Sequence, residues 1–132
     1  MKLLGELEIE LSGSKYLLKP TFKGLIVTEE LSGRTLNELL RLFLSSKAGI
    51  KDVTAVIYGG MLGKNGDKAP AMSYDEIGEA VMSTGFHNLL TPCITIVGSA
   101  YSGKPIDETV KMREAAKALV QEPEKKTDDV QA

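Results

Sequence analysis

Between Thr35 and Leu44 the chain specifies an amphipathic helix, and this stretch limits the fold more than any other. Thr35 followed three residues on by Glu38 makes a capping box, in which each side chain accepts from the other residue's backbone N–H. Leu36, Leu39, Leu40, Phe43 and Leu44 then recur at i, i+3, i+4, i+7 and i+8, one stripe of a 3.6-residue period. Such a stripe must be buried against other elements, so the rest of the chain has to supply facing surfaces.

Further helices are predicted on the same grounds. Thr21 caps a segment carrying Phe22, Leu25, Ile26 and Leu31 that stops at Ser32-Gly33, with Gly24 weakening it. A third runs from residue 51 to about 62 with Val53, Val56, Ile57 and Met61 inward, before a loop opens at Gly63-Lys64-Asn65-Gly66-Asp67. Ser73 and Glu76 repeat the capping box ahead of Ile77, Ala80 and Val81, in a helix ending near Gly85. Phe86, Leu89, Leu90, Cys93, Ile94, Val97 and Tyr101 form one more helical stripe. Ile94-Thr95-Ile96-Val97 has strand propensity, but length favours helix. Pro92 must then either kink this helix or stand in its first turn with Thr91 as the cap.

Ahead of these the pattern has a period of two. Leu7, Ile9 and Leu11 alternate with Glu6, Glu8 and Glu10, Ser12-Gly13-Ser14 turns the chain, and Lys15-Tyr16-Leu17-Leu18-Lys19 returns as a second strand ended by Pro20. The expected fold class is therefore mainly α with a small N-terminal β-hairpin, a compact bundle of four to five short helices. Residues 1–104 make the hairpin plus helical domain. Residues 105–120 form an extra helix with a thin stripe of Val110, Ala116 and Leu119. Residues 121–132 are a charged tail with nothing to bury and read as disordered.

Composition narrows the function. A chain of 132 residues holds one core, and a formal net charge of −2 offers no field for phosphate backbones. The lone cysteine, Cys93, has no disulfide partner, and the start lacks the apolar stretch of a signal peptide, both pointing to a cytoplasm. No run approaches the roughly 20 apolar residues of a membrane span.

Motifs of chemistry are weak. Gly98-Ser99-Ala100-Tyr101-Ser102-Gly103-Lys104 fits G-x-x-x-x-G-K, but Pro105 stands where a phosphate loop needs a Ser or Thr hydroxyl for magnesium, so these glycines read as a helix end and a turn. His87 lies on the polar side of its stripe with no second ligand spaced to join it. Cys93 lies on the apolar side, six residues away, so a helix points the two apart. Glu29-Glu30 and Asp75-Glu76 fall at helix ends, where carboxylates have local work. Lys15, Lys19 and Lys23 lack the aromatic residues that single-stranded nucleic acid stacks on. No catalytic, cofactor-binding or metal-binding residue is assigned, which leaves protein binding.

The chain does resemble a family. Gly5-Glu6-Leu7-Glu8-Ile9, Tyr16, Leu18, Pro20-Thr21-Phe22, Glu29-Glu30 and Gly33-Arg34-Thr35-Leu36 match in order and spacing the start of the phage tail assembly chaperone family that includes the gene transfer agent tail protein. Lys51-Asp52-Val53, Ala55-Val56-Ile57-Tyr58, Ser73 and Asp75-Glu76-Ile77-Gly78 resemble that family's middle helices. The likeness covers about residues 5 to 102; it departs at Thr91 to Val97, where the family favours alanine and leucine, and beyond Lys104. It implies a non-enzymatic protein of the host cytoplasm, absent from the mature virion, without cofactor, that binds the tape measure protein and helps tail tube protein assemble around it. The alternatives are a structural tail component or a small regulatory nucleic-acid-binding helical protein.

Three apolar residues fall off the stripes that a core would consume: Leu62, Met82 and Ile96. Surplus apolar surface marks a docking site, so these are the candidates for a groove that takes an apolar helix of the tape measure protein or mediates self-association into a ring; the alternative is that they complete the core. The domain limits are tested by proteolysis: trypsin is expected to remove the segment after residue 121 before making any cut within residues 5–100, and the opposite order would overturn them.

Overall fold

A computed structural model of the protein describes residues 4–70 and 72–109. The chain is mainly α with an N-terminal hairpin of β1 (Leu7–Leu11) and β2 (Ser14–Leu18), followed by α1 (Phe22–Ser32), α2 (Leu36–Leu44), α3 (Ile50–Lys64), α4 (Tyr74–Thr84) and α5 (Phe86–Ser102). Residues 106–109 turn helical again at the edge of the described chain, and most of the helix expected over 105–120 and the whole charged tail lie outside the described residues. Both expected capping boxes form, Thr35 with Glu38 and Ser73 with Glu76.

The centre of the molecule is α3. Its residues Val53, Val56, Ile57 and Met61 join a core completed by Ile9, Leu11 and Leu18 of the hairpin, Leu39 and Phe43 of α2, Ile77 and Val81 of α4, and Leu89, Cys93, Ile96 and Val97 of α5. Because α1, α4, α5 and β2 all pack on it, α3 is buried on nearly every side. The helix also runs on to Lys64, through the glycine expected to open a loop.

Small residues let the neighbours approach. Gly24, Thr28 and Ser32 of α1 stand four residues apart, as do Ala55, Gly59 and Gly63 of α3, and rows with that spacing pack as ridges into grooves. A β-carbon on Gly24 would collide with the Gly59 carbonyl oxygen, and one on Gly59 with the Thr28 hydroxyl and the Gly24 carbonyl. Thr28 Oγ1 donates to Gly24 O at 3.0 Å and Ala55 O at 3.1 Å. Gly60 receives the Leu18 side chain, whose Cβ lies 2.8 Å from where an added β-carbon would be. Its carbonyl accepts from Lys19 N at 3.0 Å.

This packing corrects the expectation for α1. The helix buries Gly24, Thr28 and Ser32 and leaves Phe22 83% and Ile26 39% exposed, because only its small residues allow the approach to α3. Pro92 is likewise not in a first turn capped by Thr91: α5 begins at Phe86, so the proline sits inside it. Gly85, with φ of 103°, is the corner between α4 and α5, which bend by 119°. Among the described residues no single helix is long and apolar enough to cross a membrane.

Polar contacts hold the loops. Glu29 Oε2 accepts from Leu36 N at 2.7 Å, joining the end of α1 to the start of α2. The buried Asp52 carboxylate accepts from Arg34 Nε at 3.0 Å and Gly49 N at 2.8 Å, tying the α1–α2 loop to the first turn of α3. Among the described residues no buried side-chain nitrogen or oxygen lacks a hydrogen-bond partner.

The two glycine environments give opposite signs on substitution. Gly59→Ala is expected to destabilise by about 3 kcal/mol, since the intruding methyl meets backbone and must separate α1 from α3. Gly78→Ala, whose added carbon would come no closer than 3.9 Å to Thr54 Cγ2, is expected to stabilise by about 0.8 kcal/mol through helix propensity. Urea unfolding of both variants checks the pair.

Candidate functional site

Once α3 and α4 have turned their inner faces to the core, the residues beside those faces line a groove of about 380 Å³ between the two helices. Ile77, Ala80 and Val81 point inward, so Met82, the next residue, rotates to the surface and is 66% exposed. Ile50, the first residue of α3, is 43% exposed on the opposite wall. Gly78 has no side chain to fill the space between, and Thr54 and Tyr74 complete the lining.

Tyr74 is held edge-on against Tyr58, with ring centroids 6.2 Å apart. Its phenol is shifted upward from the ordinary value by burial and then by the charges of Asp52 and Asp75. Lys51, Asp75 and Glu79 rim the groove with both signs of charge. Apolar anchors with a mixed polar rim suit a protein surface.

Of the three residues expected to line a docking groove, Met82 alone borders the groove between α3 and α4. Ile96 is 2% and Leu62 7% exposed, and the three do not share an open surface. The physical reason is that α5 packs against α2, α3, α4 and β1, and α3 against four elements, so residues off the main stripe are covered by a second neighbour. Ile50 and Tyr74 were missed. Ile50 carries a readable signal, an apolar residue ahead of its helix's inward stripe, whereas Tyr74 is visible only once α3 is beside α4.

The remaining motifs resolve into structure. Gly98 to Ser102 belong to α5, and Gly103, with φ of 74°, ends it by donating its N–H to Ser99 O, so the amides that would cradle phosphate are spent inside a helix. His87 is exposed. Cys93 is buried with Sγ 3.9 Å from Val53 O, and burial pushes its thiol far above the usual range. Among the described residues no group of three or more His, Cys, Asp and Glu could hold a metal ion. No family model, curated protein or solved structure matches the chain.

A raised thiol pKa means that the reactive thiolate is scarce at neutral pH. Cys93 is therefore expected to react with a disulfide reagent only at the rate of unfolding, and with it in full in denaturant. Labelling of the native protein as fast as a free thiol would show that α5 opens locally.

Proposed function

We propose that this protein is a tail assembly chaperone of a long-tailed phage, which holds the tape measure protein without catalysing a reaction and lets tail tube protein assemble around it in the host cytoplasm. The observation that carries this reading is the exposed pair Ile50 and Met82 across the α3–α4 groove. It is supported by the ordered likeness to the chaperone family, whose matched positions include Asp75 and Gly78 of the same groove.

The chemistry fits an apolar helix as client. A partner stripe would cover Ile50 and Met82, two anchors in an otherwise polar rim, while Lys51, Asp75 and Glu79 stay hydrated and keep the complex soluble. Methionine adapts its shape to irregular partners, which suits a surface meeting many turns of a long helix in succession.

Co-expression with the tape measure protein of the same phage is the test. The wild-type chain is expected to move that protein from pellet to supernatant, and Ile50→Asp with Met82→Asp to abolish the rescue while the melting temperature stays within a few degrees. Ile96→Asp should instead unfold the chain, because it places an unpaired charge in the core. A tape measure protein left in the pellet by the wild-type chain would refute the chaperone reading; rescue by the double variant would refute only the groove.

A further inference from the structure

The hairpin has two strands and therefore two edges, and each borders a groove, of about 400 Å³ beside β1 and about 300 Å³ beside β2. The two-residue turn places Ser12 at φ 50° and Gly13 at φ 82°, both positive, the type I′ geometry that closes a hairpin on a hydrogen-bonded pair, here Leu11 and Ser14. Hydrogen-bonded and non-bonded pairs then alternate, so Ile9 pairs inward with Tyr16 while the backbone N–H and C=O groups of Glu8 and Glu10 point away from β2.

Bonds just beyond the strand ends agree with this parity. On the β1 side, Ser12 N donates outward to Thr84 Oγ1 at 2.7 Å and Leu4 O accepts from Ile106 N at 2.8 Å. On the β2 side, Lys19 N donates outward to Gly60 O. Both ends of the β1 edge are thus occupied, and among the described residues nothing pairs with the backbone groups of Glu8 and Glu10 between them. Beside that stretch lies a groove of about 400 Å³, walled by Glu8, Glu10, Thr84, Asn88, Leu89 and Pro92.

We infer that the β1 edge and this groove dock an extended peptide segment of a partner protein, added as a third strand, in which basic residues alternate with apolar ones. Main-chain bonds to Glu8 and Glu10 supply the pairing. Side chains on the solvent face of the added strand stand opposite the exposed Glu8 and Glu10 carboxylates, which favours lysine or arginine there. Glu8 already meets Lys15 at 3.6 Å, whereas Glu10 makes no ion pair among the described residues. The intervening residue of the peptide faces Leu89 and Pro92 and must be apolar. A second copy pairing through β1 is disfavoured, because antiparallel β1 strands would set glutamates against glutamates.

The test uses the full chain and a fluorescein-labelled hexapeptide alternating lysine and valine. Saturable binding is expected, with shifts in the amide NMR signals of Glu8 and Glu10. Replacing the lysines of the peptide by glutamate should weaken binding at least tenfold. Glu10→Pro removes one outward N–H while sparing the pairs to β2, and should also weaken binding at least tenfold. Should that variant fail to fold, a peptide N-methylated on the edge that meets β1 tests the same bonds from the other side, and must lose binding while methylation of its opposite edge is tolerated. Equal binding by Glu10→Pro, shifts confined to the α3–α4 groove, no binding at millimolar peptide, or self-association that Glu10→Pro removes would each overturn the proposal.

Discussion

The contact between α1 and α3 governs the rest of the molecule. Two helices normally pack through side chains that keep their axes apart, whereas here the Gly24 and Gly59 backbones meet with no β-carbon between them. The Thr28 side chain, buried in this contact, satisfies itself on two carbonyls, one from each helix. With α1 held that near, the glycine row continues to Gly63, which clears the Lys19 carbonyl and the Thr21 side chain where the hairpin enters α1. One stripe of α3 thereby sets both the position of α1 and the angle at which the hairpin arrives.

Burying small residues has a consequence for the opposite face. A helix can turn only one side to its neighbour, and α1 turns the side without bulk, so Phe22 and Ile26 meet water. Elsewhere the centres of the expected stripes are buried, Leu39 and Phe43 in α2 and Ile77, Ala80 and Val81 in α4, whereas the stripe ends Leu44 of α2 and Tyr101 of α5 lie at helix termini and are exposed. The loops that join these helices are fixed by carboxylates. Asp52 binds an arginine from one loop and a backbone amide from the next, which makes a buried charge a point of attachment between segments far apart in sequence.

The two surfaces proposed for binding follow from this arrangement. The α3–α4 groove exists because Gly78 leaves a gap that Ile50 and Met82 border. Among the described residues the β1 edge is unpaired between Leu4 and Ser12, because the sheet has two strands and β2 pairs with one side of β1 only. One surface presents side chains and the other presents backbone, which is why the partners proposed for them differ in conformation, a helix and an extended segment.

Much of this was legible in the residues. Local rules acting within a few positions decide caps, turns and periods, so the hairpin, both capping boxes, the Gly33 and Gly85 stops and the inward residues of α3 and α4 follow from spacing alone. The reading failed where a residue's surroundings come from distant parts of the chain. Phe22 and Ile26 look like core until Gly24 is seen to face Gly59; Ile96 and Leu62 look like surplus until second neighbours cover them; Pro92 is compatible with a helix start or a helix interior until Gly85 at the corner decides for the interior. Hydrophobic periodicity states which residues share a face but not how many faces a helix buries, and that number is set only when the elements pack together.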